Sequence, residues 1–184
     1  MTVPYFVIFS FVSLFLFLFL LIAIHFNYLI PINMLADKFP NLSYEIISLI
    51  SFFGSPLFVS ILLFLILFLR NKESEILSLW ILGIGAGMQF TIKRMLAFER
   101  PVGSILTTPG FPSGHSFYSA LVYWSLAGLL WKNSRAVSLT LIAIPFIIGF
   151  TRLYLGVHWL SDVIGGLLFG AVWVFLFLHK VNKN

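Results

Sequence analysis

The chain has no cysteine and very little charge. Without cysteine there can be no disulfide, no thiolate nucleophile and no Cys-ligated metal, and the redox compartment is left open. Lys, Arg, Asp and Glu together make up 9% of 184 residues, against about 25% in an ordinary soluble domain. So few charges cannot give a wetted surface all round. That excludes a soluble globular enzyme, a nucleic-acid-binding module and a disordered protein. Acids are scarcest, 6 against 11 bases. The resulting net charge of +5 suits a membrane protein with basic cytoplasmic loops and does not argue for a nucleic-acid partner.

What is present is apolar: 60% of residues, 22 of them Phe. Residues 1–36, 46–69, 76–92, 101–131, 136–151 and 163–179 carry no Asp, Glu, Lys or Arg. A span needs about 20 apolar residues to cross about 30 Å of hydrocarbon. The pattern predicts an all-α polytopic membrane protein, a single domain over 1–184. Its six transmembrane helices fall near 4–25, 45–69, 75–97, 115–131, 136–155 and 160–179. The first stretch lacks a basic start and is read as a retained span, not a signal peptide. The fourth and fifth spans, separated by Lys132–Arg135, form a tight hairpin. Arg70, Lys72, Lys132, Arg135, Lys180 and Lys183 all fall on the side of the N-terminus. The positive-inside rule makes that side, with both termini, cytoplasmic. Lys93, Arg94 and Arg100 make the other side basic too, and need a separate explanation. Residues 26–44 are read either as an interfacial lid or as a plain loop. Gly83–Gly87 and Gly166–Gly170 are expected to mark close helix packing, and the excess Phe to face lipid.

Ionisable groups at the mouths of spans are the place to look for function. Three clusters occur, all on the predicted outer side. In the first, Lys93 and Arg100 are seven residues apart, which sets them on one face if the third helix continues, until Pro101 ends it. Taken alone, snorkelling to lipid headgroups accounts for them as well. In the second, Pro112-Ser113-Gly114-His115 reads as a helix start. Its free amides, the Ser113 hydroxyl and Gly114 suit a phosphate; a simple cap beside a half-buried His115 is an equal account. In the third, Arg152 follows sixteen charge-free residues, a costly position without a partner or an anion. His158 and Asp162 are four apart, so the carboxylate can orient the imidazole. Gly156 is expected to break the chain between spans five and six and so bring Arg152 and His158 to one mouth.

The three clusters are complementary. Three cations, helix-start amides and two histidines suit one small anion, and phosphoryl transfer needs mainly positioning and charge stabilisation. A histidine oriented by a carboxylate can act as nucleophile and a second can protonate the leaving oxygen. A metal is disfavoured: only Asp162 and Glu99 are acidic near the site, and three cations would repel the ion.

These residues resemble the three-part motif of the type-2 phosphatidic acid phosphatase superfamily, which also holds the vanadium haloperoxidases. The pattern is K-x6-R-P, P-S-G-H and S-R-x5-H-x3-D. Here it reads Lys93…Arg100-Pro101, Pro112-Ser113-Gly114-His115 and Thr151-Arg152…His158…Asp162. Thr151 replaces the usual Ser and keeps the hydroxyl. The resemblance implies that His158 attacks phosphorus to form a phosphohistidine, with Asp162 orienting it. It implies that His115 protonates the leaving lipid oxygen, and that Lys93, Arg100, Ser113, Gly114 and Arg152 hold the phosphate, without metal or cofactor. A short membrane form is similar to bacterial phosphatidylglycerophosphate and undecaprenyl diphosphate phosphatases. That implies a lipid phosphate substrate in the bilayer of a bacterial cytoplasmic membrane and an extracytoplasmic site. A lipid phosphotransferase using the same phosphohistidine, or a non-catalytic phospholipid-binding or scrambling protein, are the alternatives.

Overall fold

The structure, a computed structural model, describes residues 5–26, 43–70 and 73–183. Most of the 26–44 segment and Lys72 lie outside these residues. Helices form where the apolar stretches predict them. They are α1 (Tyr5–His25), α2 (Tyr44–Phe52), α3 (Pro56–Arg70), α4 (Glu73–Leu96), α5 (Gly114–Ser119), α6 (Ser125–Leu130), α7 (Arg135–Tyr154) and α8 (Leu160–Lys183). A π-helical stretch, Ala120–Trp124, joins α5 to α6. No strand occurs among the described residues. Among them, α1, α7 and α8 are each long and apolar enough to cross a bilayer, and α2 with α3 makes a fourth if counted as one span.

The second expected span is not one straight helix. It breaks at Phe53–Ser55 and bends by 42° between α2 and α3. Pro56 opens α3; with no amide hydrogen it cannot bond back to the preceding turn, but it suits a helix's first position. The break is docked on its neighbours. Tyr123 Oη donates to Phe53 O at 2.9 Å, and a Cβ on Gly54 would collide with Ile148 of α7.

The core sits around α8, against which α1 lies along its length. Ser10 Oγ of α1 donates to Val172 O at 3.1 Å. Phe17 stacks on Phe169 at 4.9 Å and on Phe111 at 5.7 Å, and Phe117 stacks on Phe169 at 5.5 Å. Phe is therefore divided. Among the described residues Phe9, Phe11, Phe15 and Phe19 of α1 and eight others are exposed, while Phe17, Phe111, Phe117, Phe169 and Phe177 are buried, so the greater share of the excess lies on the surface and a minority builds the core. The glycine pairs divide as well. At Gly166 a Cβ would stand 2.6 Å from Ser113 O, and at Gly170 2.7 Å from Ala120 Cβ, so α5 and α8 touch backbone to backbone. Gly83 and Gly87 have open space beside them; on α4 it is Gly85 that packs, on Trp173.

The α6–α7 hairpin turns within Trp131–Ser134, where Ser134 Oγ accepts from Val137 N at 3.4 Å. Across it Ser138 Oγ donates to Ala127 O at 2.9 Å and Trp124 Nε1 to Ile142 O at 3.0 Å.

Candidate active site

The three sequence clusters converge at one end of the bundle, and backbone hydrogen bonds join them. Gly110 N donates to Phe98 O at 2.7 Å and Ser113 N to Asp162 O at 2.9 Å. The second cluster is thus bonded to the first on one side and to the third on the other.

Lys93 lies in the last turn of α4, half-buried. Its Nζ donates to Gly110 O and to Pro112 O, both at 3.2 Å. The helix stops at Leu96, earlier than Pro101 predicts. Ala97 takes φ 48°, a left-handed conformation that a non-glycine residue enters at some cost, and the chain turns away. Lys93 and Arg100 therefore share no helical face, and Arg100 reaches the site from a segment outside any helix. Its guanidinium is held on several sides. Nε donates to Thr108 O at 2.6 Å, Nη1 to Val157 O at 2.5 Å, and Nη2 to Thr108 Oγ1 at 3.1 Å and Pro109 O at 3.3 Å. Nη1 also lies 3.1 Å from His158 Nε2.

That last contact fixes the imidazole's proton. Arginine can only donate, so Nε2 presents its lone pair and the ring hydrogen is on Nδ1. Nδ1 in turn lies 3.0 Å from Asp162 Oδ2. The same Oδ2 accepts from Trp159 N at 3.0 Å. Trp159 precedes α8 and Asp162 is its third residue, so the carboxylate also caps the helix, as the acid of a capping box does. Both residues are buried, His158 3% and Asp162 2% exposed. Burial pushes His158 well below the ordinary histidine value, and Arg100, Lys93 and Arg152 push the same way. The ring is neutral at pH 7 and its Nε2 carries a lone pair. Burial also lowers Arg100, with Asp162 opposing.

The turn that delivers His158 is built by Gly156, at φ 63°. Gly156 N donates to Leu153 O at 2.9 Å and Val157 N to Arg152 O at 3.3 Å, the two bonds of a Schellman motif closing α7. Glycine enters this left-handed position without steric cost. Arg152, one turn earlier, is buried, and its Nη1 donates to Ser51 Oγ at 2.5 Å. Its Nε is buried with no hydrogen-bond partner.

Ser113 is the N-cap of α5, as the sequence predicts, but its hydroxyl caps nothing. Ser113 Oγ is fully buried and unpartnered. His115, half-buried in the first turn of α5, is close enough to Arg152, His158, Lys93 and Arg100 to feel all four electrostatically. Gly110 stands where a Cβ would come within 2.8 Å of Asp162 Oδ2.

All eight residues singled out from the sequence, Lys93, Arg100, Ser113, Gly114, His115, Arg152, His158 and Asp162, belong to this one assembly. Sequence reasoning missed four others: Ser51, Gln89, Thr108 and Trp159. Gln89 donates from Nε2 to Pro112 O at 3.2 Å, and Trp159 Nε1 to Glu99 O at 3.2 Å. Gln89 had a signal: it is the sole glutamine, one turn before Lys93 in a charge-free stretch. Ser51 had none.

In this arrangement a carboxylate-oriented histidine stands beside Arg100, with Lys93 and Arg152 near, at one end of a helical bundle. Residues 93–184 match the sequence profile of the PAP2 superfamily, and the chain belongs to that superfamily. It is 31% identical over 129 residues to phosphatidylglycerophosphatase B of Bacillus subtilis (strain 168), a match covering 63% of this chain and 64% of that protein. It is 40% identical over 62 residues to the putative undecaprenyl-diphosphatase YbjG of Escherichia coli (strain K12), covering 34% and 30%. The matches thus span less than two thirds of each of these relatives. The fold superposes on the crystal structure of a transmembrane PAP2-type phosphatidylglycerolphosphate phosphatase from Bacillus subtilis. The TM-score is 0.82 at 26% identity, over 95% of this chain and 96% of that one.

Proposed function

We propose that the chain is an integral-membrane lipid phosphatase that releases phosphate from a lipid phosphomonoester or diphosphate through a phosphohistidine on His158. The observation that carries this is the chain of contacts Asp162–His158–Arg100, 3.0 Å at Nδ1 and 3.1 Å at Nε2. A histidine that only filled space would not need a carboxylate on one nitrogen and an unprotonated, cation-facing lone pair on the other. Simple headgroup binding needs neither.

Lys93, Arg100, Arg152, the Ser113 hydroxyl and the Gly114 amide bind the phosphate oxygens. The arriving anion takes over the Arg100 guanidinium and frees Nε2. Nε2 attacks phosphorus as the bond from phosphorus to the lipid oxygen breaks. His115, protonated on arrival of the dianion, gives that proton to the oxygen, and the dephosphorylated lipid leaves. Asp162 stabilises the imidazolium so formed, as a triad carboxylate does. Neutral His115 then takes a proton from water as its oxygen attacks phosphorus. The P–N bond breaks, and inorganic phosphate departs.

No metal enters this scheme. Three cations carry the charge stabilisation, and among the described residues no group of three or more His, Asp or Glu is placed to hold an ion. The relatives' names guide the substrates: phosphatidylglycerophosphate and undecaprenyl diphosphate, with phosphatidate as a third candidate. The reading includes a single domain of six spans in a bacterial cytoplasmic membrane. Both termini are cytoplasmic and the site is extracytoplasmic, as the distribution of Lys and Arg supports.

Phosphate release from a panel of these lipids by the purified full chain, beside His158→Ala, tests the proposal. The wild type should turn over at least one lipid and acquire an acid-labile, base-stable phosphoryl label. His158→Ala should do neither while remaining folded. Full activity in that variant would sink the mechanism.

A further inference from the structure

Family likeness by profile begins at residue 93, yet a side chain from far earlier reaches Arg152. Ser51, in the last turn of α2, is 3% exposed, and its hydroxyl accepts from Arg152 Nη1 at 2.5 Å. Nη1 is the guanidinium nitrogen on the Cδ side. The opposite edge, Nε with Nη2, is the fork that meets two oxygens of a phosphate side-on. Nε is buried and has no partner. Ser113 Oγ, fully buried in the second cluster, has none either. Buried donors without partners are rare and call for an explanation, and an anion between the two clusters supplies one.

The reach of Ser51 depends on the break in the second span. A straight helix would carry no bend here; the chain instead turns at Phe53–Ser55, with Gly54 N donating to Ser51 O at 3.0 Å. Gly54 is seated on Ile148, which lies four residues before Arg152 and so one turn away on the same face of α7. The bend is thus clamped directly beside the arginine it serves.

We propose that Ser51 is a positioning residue for phosphoryl transfer: it pins Arg152 from behind so that the Nε–Nη2 edge faces the phosphate. This rests on the lipid phosphatase reading above. Arg152 would then act mainly in the transition state, where charge builds on the equatorial oxygens, and small misplacements of such a group are costly in rate.

The test uses the purified full chain in detergent, with Ser51→Ala, Ser51→Cys and Ser51→Thr, each also in an Arg152→Lys background. Loss of the hydroxyl in Ser51→Ala should lower kcat about 10-fold with KM within about threefold, an effect of the size expected from misplacing a catalytic group. Ser51→Cys, which keeps the volume, should fall likewise and stands in if the alanine variant does not fold. Ser51→Thr should recover to within about threefold. In the Arg152→Lys background, Ser51→Ala should add nothing, because the fork is already gone. Wild-type kcat in Ser51→Ala, or an equal further loss in the lysine background, overturns the proposal. Binding of orthovanadate, which mimics the five-coordinate transition state, measured by calorimetry, separates the two levels. If the wild type hydrolyses no lipid yet binds vanadate about 10-fold more tightly than Ser51→Ala, the phosphatase reading fails and the role of Ser51 in seating Arg152 stands. Equal vanadate binding by both overturns the role of Ser51.

Discussion

Ser113 N donates to Asp162 O at 2.9 Å, so the residue that opens α5 is bonded to the backbone of the residue whose carboxylate holds His158. The loop that opens α5 and the histidine's support are thus tied backbone to backbone. Changes on either side should therefore appear in rate before they appear in stability.

Asp162→Asn is the most direct probe of that support. An asparagine can meet Nδ1 with its amide instead of its oxygen and favour the wrong tautomer. By analogy with the carboxylate of a serine-protease triad, kcat should fall about 10²–10⁴-fold. Steady-state kinetics beside a thermal melt in detergent checks it; a normal rate would remove Asp162 from the mechanism.

Gly110→Ala tests close approach. The new Cβ would lie 2.8 Å from Asp162 Oδ2, within the range where something must shift, and the carboxylate is the mobile partner. The expected outcome is a loss of activity of about 10-fold or more from a misdirected His158, with the fold retained. The measurement is kcat together with the melting temperature.

The pH profile follows from the environment of His158. Burial and three cations lower its pKa, so the neutral, nucleophilic form persists in acid well below the ordinary value of about 6.5. In a kcat/KM profile the limb due to this group should lie well under that value. The same shift acts on stability. The unfolded chain takes up this proton as pH falls through about 6.5 while the native state does not, so the contribution present above that pH is lost towards acid. A nucleophile limb at or above about pH 6.5 would contradict the cationic surround.

Chelation gives a further check. Activity should be unchanged after prolonged incubation with EDTA and passage into metal-free buffer. A loss restored by added divalent ion would contradict charge stabilisation by Lys93, Arg100 and Arg152.

Gly156→Ala should cost both stability and rate. A Cβ at φ 63° is disfavoured by about 1 kcal/mol, and the Schellman turn that follows delivers His158. Thermal melts and kcat should fall together; an unchanged kcat would mean that the turn tolerates the side chain.

The helical stretches and the convergence of the three clusters were legible because their signals are local. Charge-free runs mark helices, and spacings of four and seven mark turns. The exceptions have physical causes. Pro101 foretold the end of α4, but Ala97, with no such signature, ends it sooner by taking a left-handed turn. The break at Phe53–Ser55 hides inside a run with no charge, and only Gly54 and Pro56 hint at it. Phe17 and Phe15 have the same letter and opposite burial, because hydropathy cannot tell lipid from core when both are apolar. Ser51 is invisible for another reason: its partner lies 101 residues away, and no local pattern reports such a contact.

The hydrogen bond from Arg100 to His158 Nε2 has a consequence for selectivity. An electrophile without negative charge meets a histidine whose lone pair is already engaged by a cation. A dianion meets the same histidine after drawing that cation onto itself. Under the proposed mechanism, discrimination by charge would be exercised at the nucleophile itself, its reactive nitrogen unveiled only by the class of molecule it is suited to attack.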